Sequence, residues 1–338
     1  MNRRLVLRRR PKAGAAIDDA DFALETAPLP EPGEGELLVR VCWLGFDPAQ
    51  RGWLDDAPSY LPPVEIGAVI RASAVGQVVA SRNPAFPAGA LVSGMFGWQE
   101  HALSDGTGLV RRVPDDVPPT AALGVLGTPG LAAYFGMLSV GQPQAGDVVL
   151  ISAAAGATGS VAGQLAKLAG ARTIGIAGGP EKCRWVTEVA GFDAVIDYKR
   201  EDVATRIGAL APDGLDIYYD NVGGAILDAA LGHLAVGARV VLCGAISTRF
   251  AVGVEPPGIK NLPALIIKRA RMEGVVIVDY QDRFDEARTQ LADWLRAGKL
   301  LTADDVQHGD LEQAPGTLRR LFEGRNLGKQ LLQIAAPS

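Results

Sequence analysis

The sequence contains few of the residues that bind metals or form disulfide bonds. Its 338 residues include only three cysteines and three histidines, namely Cys42, Cys183, Cys243, His101, His233 and His308. The cysteines are odd in number and far apart, which argues against a disulfide framework and favours a reducing compartment, the cytoplasm. No cysteine or histidine pair has the spacing of zinc ligands, so we expect no metal centre.

Long apolar runs and a strong net charge are also absent. No stretch reaches the roughly 20 apolar residues that a membrane span requires. The net charge of −5 gives no reason to expect a nucleic acid or an anionic membrane as partner. The basic N-terminal segment is not followed by the apolar region of a secretory signal, and Arg4–Arg8 is typical of an edge strand. A chain of this length favours two domains.

The two parts of the chain show different patterns. Up to about residue 125, short β-rich runs alternate with Pro/Gly turns, which predicts a β-barrel-like domain; the runs are 37–42, 68–72, 76–80, 90–94 and 109–113. From about residue 126, strand and helix patterns alternate, with strands over 147–152, 172–177, 193–198, 215–220, 238–245 and 271–278. This alternation predicts an α/β domain with a doubly wound parallel sheet. A last strand over 329–334 is expected to return to the first domain.

A turn of small residues lies between the first strand and the first helix of the α/β domain. It has the spacing Ala154-x-Gly156-x-x-Gly159 and would leave the first N–H groups of the helix pointing outward, as a pyrophosphate site requires. A tight turn without a ligand is the alternative for this stretch alone. The repeated βαβ context favours a dinucleotide.

The end of the next strand indicates whether the dinucleotide is NAD or NADP. The strand ends in the segment Gly175–Gly179, which lacks the Asp or Glu that binds the ribose 2′-hydroxyl of NAD. Lys182 follows, and a cation in place of an anion favours a 2′-phosphate, hence NADPH. The adjacent Glu181 argues against a 2′-phosphate site, and the alternative for Lys182 is a helical lysine that faces solvent.

Two later strand ends add candidate cofactor contacts. Asn221 follows the fourth strand, where ligands of open α/β sheets lie, and is placed to donate to a ribose or phosphate; an Asn–Gly turn without a ligand is the alternative. The segment that includes Gly244 and Ser247 follows the fifth strand and should line the nicotinamide end.

Motifs in the same order over nearly the whole chain point to one family. They include Pro28–Glu36, Asp47–Gly52, Ser59–Pro63, Gly127–Gly136, Ala154–Ser160, Asp220–Gly224, Gly244–Thr248 and Asn326–Lys329. With them the chain resembles the zinc-independent branch of the medium-chain dehydrogenase/reductases, which comprises prostaglandin reductases, alkenal double-bond reductases and curcumin reductases.

The resemblance implies a GroES-like β-barrel domain formed by residues 1–125 with 301–338, and a Rossmann NADPH-binding domain over 126–300. It also implies a homodimer, formed through the edge strand around 271–278. Asp47 aligns near the place where the zinc enzymes of the superfamily carry a cysteine ligand, which is consistent with the absence of zinc.

The cofactor-binding residues expected from motif and resemblance together are Ala155, Gly156, Thr158, Gly159, Gly178, Lys182, Tyr198, Asn221, Gly244, Ser247 and Asn326. Of these, Tyr198 and Asn326 are assigned by the resemblance alone.

The activity implied by the resemblance is NADPH-dependent reduction of the C=C bond of α,β-unsaturated aldehydes and ketones. Such a reaction needs hydride delivery to the β-carbon, a donor that polarises the carbonyl, and a proton for the α-carbon. Candidate catalytic residues are Tyr60, Arg249 and Tyr280. Arg249 stands where the family commonly has a tyrosine, so a guanidinium would polarise a carbonyl or bind an anionic substrate group.

Alternatives exist for each candidate and for the activity. Arg249 turned to solvent, with Phe250 packed in the cleft, is the alternative at that position, and plain packing is the alternative for both tyrosines. An NADPH:quinone oxidoreductase is the nearest alternative activity, and a non-catalytic NADPH-binding protein is the less favoured one.

Overall fold

The chain forms two compact units that are described separately. The computed structural model describes residues 1–12, 14–57, 59–249 and 258–337, with only the backbone of Arg249. Met1–Leu123 and Asp304–Ser338 form one unit, here the outer unit, and Gly124–Ala303 form the other, the central unit.

The strands are β1 Asn2–Leu7, β2 Phe22–Ala27, β3 Leu37–Phe46, β4 Ala74–Ser81, β5 Leu91–Gly94, β6 His101–Ser104, β7 Arg111–Arg112, β8 Val148–Ile151, β9 Arg172–Ala177, β10 Ala194–Asp197, β11 Leu215–Asp220, β12 Leu234–Leu242, β13 Arg271–Gly274, β14 Asp304–His308 and β15 Lys329–Gln333. The α-helices are α1 Ala49–Trp53, α2 Thr128–Tyr134, α3 Ala157–Leu168, α4 Pro180–Arg184, α5 Val203–Leu210, α6 Gly224–Leu231, α7 Ile246–Arg249, α8 Ala264–Lys268, α9 Phe284–Arg296 and α10 Ala314–Phe322.

The outer unit contains a seven-stranded sheet in the order β14-β15-β3-β4-β5-β7, with β6 also paired to β3. The long, apolar β3 lies within this sheet because most of its residues are buried on both sides. Trp98, which is fully buried, packs between Phe22 and Phe46 with ring centroids 5.3 and 5.7 Å away. The strand predicted at the chain's end is confirmed, and β15 pairs antiparallel with β3.

The strand predicted over 68–72 does not form. Only Val69 makes a β-bridge, to Val6. The segment changes partner within a few residues: Ile70 donates its N–H to Leu5 and accepts from Trp98 through its carbonyl oxygen. The hydrogen bonds of the segment are divided between β1, through Ala68 and Ile70, and the chain at Gly97 and Trp98, so no regular ladder develops with either.

The central unit contains the predicted doubly wound sheet, with six parallel strands in the order β10-β9-β8-β11-β12-β13. Apolar side chains such as Leu150, Ile174, Ile196 and Val240 are fully buried in it. The strand order reverses between β8 and β11. In sheets of this kind, ligands bind in the crevice beyond the carboxyl ends of the strands at such a point.

The strand predicted over 271–278 is shorter than expected, because β13 ends at Gly274. Its neighbour β12 ends at Leu242, the residue paired with Gly274, so the ladder has no partner beyond it. A 3₁₀ segment, Ile277–Arg283, follows. Among the residues that the structure describes, no helix is both long and apolar enough to span a membrane.

Candidate cofactor and active site

The turn between β8 and α3 is tight and has no side-chain cap. Gly156 is the N-cap residue of α3, and no side chain accepts a hydrogen bond from the first N–H groups of the helix. Ala153 has a φ of +49°, a conformation that is uncommon for a residue with a Cβ atom. A Cβ atom on Gly159 would lie 2.3 Å from the carbonyl oxygen of Ala153. The helix therefore approaches the turn as closely as it does only because residue 159 is glycine.

The other predicted residues of this turn lie on the same structure. Ala155 is buried, whereas Gly156 and Thr158 are half-buried. The first turn of α3 thus presents main-chain N–H groups next to a half-buried surface, where an anion would be bound by a helix N-terminus.

The end of β9 brings Gly178 and Tyr198 together. A Cβ atom on Gly178 would lie 2.6 Å from Cε1 of Tyr198, so the ring packs directly on the glycine backbone. Tyr198 is 47% exposed, and Lys182 is half-buried in the first turns of α4. No carboxylate stands at residues 177–179. A half-buried cation in the helix that follows the Gly178–Gly179 turn, and an exposed aromatic ring on that turn, suit a phosphate monoester next to a base or sugar.

Asp197 is a residue of this region that the sequence analysis missed. It ends β10, next to β9, and is 9% exposed. Its Oδ1 accepts from the main-chain N–H groups of Gly179 at 2.9 Å and Lys199 at 3.1 Å. The carboxylate is therefore held against the backbone, where it shapes the Gly178–Gly179 turn.

Asn221 lies at the switch point, tied to the end of β8. Its main-chain N–H donates to Ser152 Oγ and its Nδ2 donates to the Ser152 carbonyl oxygen, both at 2.8 Å. The neighbouring Asp220 is 1% exposed and accepts from Ser152 Oγ at 3.1 Å. Asn221 was predicted as a cofactor contact, whereas no role was predicted for Ser152 or Asp220.

Gly244 and Ser247 lie against the Asn221 loop. Ser247 Oγ donates to the carbonyl oxygen of Val222 at 2.7 Å. A Cβ atom on Gly244 would lie 2.9 Å from the carbonyl oxygen of Asn221. The structure therefore brings Asn221, Gly244 and Ser247 together at the carboxyl ends of β11 and β12.

The candidate catalytic residues are only partly described. Arg249 is the last residue of α7, but its side chain and the whole of Phe250 lie outside the described residues. Tyr280 stacks on the fully buried Phe135, with ring centroids 4.4 Å apart and planes inclined by 11°. Tyr60, in the outer unit, is exposed. Also in that unit, Asn326 Nδ2 donates to the carbonyl oxygen of Gly328 at 2.9 Å.

Sequence and structure comparisons identify the family. A domain described as the N-terminal domain of oxidoreductase matches residues 3–111, and one described as zinc-binding dehydrogenase matches residues 157–294. NADPH-dependent curcumin reductase of Escherichia coli (strain K12) is 41% identical over 339 residues, which cover 99% of this chain and 97% of that protein. The chain belongs to the zinc-independent branch of the medium-chain dehydrogenase/reductase family.

Further similarities agree with membership of the medium-chain dehydrogenase/reductases. The 2-alkenal reductase (NADP(+)-dependent) of Nicotiana tabacum is 36% identical over 338 residues, covering 99% of this chain and 98% of that protein. The crystal structure of CurA in complex with NADPH from Vibrio vulnificus superposes with a TM-score of 0.91 and 41% identity, covering 99% of this chain and 100% of that chain.

This medium-chain dehydrogenase/reductase has an ion pair between Asp47 and Lys329. Asp47 Oδ1 accepts from Lys329 Nζ at 2.6 Å, and the same ammonium donates to the Phe46 carbonyl oxygen at 3.1 Å. Within residues 1–12, 14–57, 59–249 and 258–337, no three His, Cys, Asp or Glu side chains are grouped so as to hold a metal ion.

Proposed function

We propose that the protein is an NADPH-dependent reductase of α,β-unsaturated aldehydes and ketones. The observation that carries the proposal is the turn after β8, where main-chain N–H groups without a side-chain cap lie at the switch point of the sheet. The relatives named as NADPH- or NADP-dependent reductases support both the cofactor and the reaction class.

The residues of the central unit fit the parts of NADPH. The first turn of α3, with Ala155, Gly156, Thr158 and Gly159 around it, would bind the pyrophosphate through its main-chain N–H groups. The close approach of the turn at residue 159, where there is room only for glycine, keeps these groups together. Lys182, in the helix after the Gly178–Gly179 turn, would bind the 2′-phosphate, with Gly178 and Tyr198 as further contacts. Asn221 would bind a ribose, and the loop of Gly244 and Ser247 would line the nicotinamide.

NADPH supplies a hydride when it is bound, and the chain must supply the rest of the chemistry. The carbonyl of the substrate needs a hydrogen-bond donor as enolate charge develops, and the α-carbon needs a proton. We propose Tyr60, Tyr280 and Arg249 as the side chains that meet these needs, and Asn326 as a further cofactor contact. A guanidinium at 249 would suit substrates with an anionic group near the carbonyl.

The activity is tested by steady-state NADPH oxidation with a panel of enals, enones and quinones, followed by product analysis. We expect saturated aldehydes and ketones as products, and a preference for NADPH over NADH. Turnover of quinones alone would favour the quinone oxidoreductase alternative. Tight NADPH binding without turnover of any compound would favour the non-catalytic one.

Lys182→Ala should weaken NADPH binding specifically. Removal of a charge-assisted contact to the 2′-phosphate should raise the KM for NADPH by about 10-fold or more. The KM for NADH, which lacks that phosphate, should stay nearly unchanged. Arg184→Ala, an exposed arginine on the same helix, is the matched control. An equal loss for both cofactors would contradict this assignment of Lys182.

We also propose a homodimer formed at the β13 edge of the central sheet. Ile266 and Ile267 on the preceding helix α8 are 82% and 69% exposed, so an apolar surface adjoins an edge strand. A second copy of the chain would cover both features. The mass of a single chain in sedimentation equilibrium would rule out this assembly.

The free state of all three cysteines is in keeping with a reducing compartment.

A further inference from the structure

A buried polar network lies beneath the proposed cofactor site. At its centre is Asp220, which is 1% exposed. Its Oδ1 accepts hydrogen bonds from Tyr218 Oη at 2.6 Å, Ser152 Oγ at 3.1 Å, Val222 N at 2.9 Å and Gly223 N at 3.0 Å. A buried carboxylate is costly unless donors surround it, and here they do. The network therefore ties the end of β8 to the loop after β11.

Tyr218 serves this network as a permanent donor. The side chain is fully buried, and burial together with the negative charge of Asp220 holds the pKa of Tyr218 well above its ordinary value. The phenol thus stays protonated at neutral pH and donates to the carboxylate.

The network reaches Asn221 through Ser152. Ser152 Oγ donates to Asp220 and accepts from the main-chain N–H of Asn221 at 2.8 Å. The Asn221 Nδ2 group faces the Ser152 carbonyl oxygen at 2.8 Å. A carbonyl oxygen only accepts, so this contact sets the orientation of the amide. The Oδ1 atom of Asn221 is consequently on the side away from Ser152, presented as an acceptor.

We propose that Asp220 is a positioning residue for NADPH binding: with Tyr218 and Ser152 it holds Asn221 so that Oδ1 accepts a hydrogen bond from a ribose hydroxyl of NADPH. This inference rests on the proposed function. It differs from the expectation drawn from the sequence, in which Asn221 donates to a ribose or phosphate. Polar networks in a low-dielectric interior favour one arrangement of their members, which is what a positioning role requires.

The neighbouring tyrosine provides a matched control. Tyr219 is also fully buried on β11, and its Oη donates to the Ala132 carbonyl oxygen at 2.7 Å. Tyr218→Phe and Tyr219→Phe each remove one buried hydroxyl from the same strand. Only the first removes a donor to Asp220.

The experiment measures the Kd of NADPH with the full-length protein by fluorescence titration. We expect Tyr218→Phe to weaken binding about tenfold, the size expected for one lost charge-assisted hydrogen bond, and Tyr219→Phe to change it less than twofold. Equal weakening by the two variants, or none by Tyr218→Phe, would overturn the proposal.

A double-mutant cycle distinguishes positioning from general destabilisation. If Tyr218 acts through Asn221, Tyr218→Phe should have little further effect on the Kd in an Asn221→Ala background. Additive losses would overturn the proposal. Ser152→Ala, which breaks the link between Asp220 and Asn221, should behave in the same way and serves if Tyr218→Phe does not fold.

These measurements need only cofactor binding. A failure of the enone panel with normal NADPH binding would count against the proposed reaction and leave the positioning role intact. A wild-type protein that binds no NADPH would overturn both.

Discussion

Asp47→Ala should destabilise the outer unit by about 3–5 kcal/mol, the range found when one partner of a buried ion pair is removed. The Lys329 side chain is 1% exposed, so the substitution leaves a buried ammonium. Within the described part of the chain its remaining hydrogen bond is to the Phe46 carbonyl oxygen, and Asp304 interacts with it electrostatically without a hydrogen bond to it. Urea denaturation, with hydrogen exchange of the β3 and β15 amides, measures the loss.

The converse substitution should cost less. Lys329→Met leaves a carboxylate, but the Asp47 side chain is 20% exposed and can gain water. The double variant Asp47→Leu/Lys329→Met should recover most of the stability, because an apolar pair of similar volume needs no desolvation of charge. Equal losses in the two single variants would show that the ammonium is not the group that pays the larger desolvation cost.

Gly159→Ala should weaken NADPH binding by about 100-fold or more, equivalent to about 2.7 kcal/mol. The new Cβ atom would lie 2.3 Å from the Ala153 carbonyl oxygen and 2.9 Å from its carbon, so the backbone of the turn itself must move. Displaced N–H groups at the start of α3 then no longer converge on one anion. Fluorescence titration with NADPH measures the change, and circular dichroism shows whether the fold persists.

Gly316→Ala is the matched control for a glycine within a helix. Gly316 lies in α10, and an added Cβ atom would meet Arg319 Nη2 at 3.6 Å, an ordinary contact. This variant should gain about 0.5–1 kcal/mol of stability from helix propensity and leave NADPH binding unchanged. A Gly159→Ala protein with wild-type affinity would contradict the proposed pyrophosphate cradle.

Local patterns predicted the central sheet well. Strands buried on both faces appear as short apolar runs, and the run over 147–152 corresponds to β8 at Val148–Ile151. Strand ends depend on neighbours rather than on the strand's own residues. That is why the stretch 271–278, apolar throughout its second half, forms a strand only as far as β12 accompanies it.

The polar framework of the site could not be predicted in the same way. Ser152 and Asp220 are 68 residues apart, and no spacing rule relates them. Asn221 was predicted as a site residue because it follows a strand of an α/β domain, whereas Asp220 was predicted only as the last residue of that strand. Lys329 was assigned to a strand pattern, although its ammonium is buried against Asp47. Each of these roles depends on a partner that only the folded chain supplies.

The pairing of β15 with β3 has a consequence for biosynthesis. Lys329 bonds to Phe46 although it lies 283 positions further along the chain, and all of the central unit lies between the two. During translation the central unit emerges whole before β15 does, whereas Trp43–Phe46 of β3 lack their partner strand until then. The central unit is therefore able to fold on the ribosome first, and the outer unit cannot complete its sheet until synthesis is nearly finished.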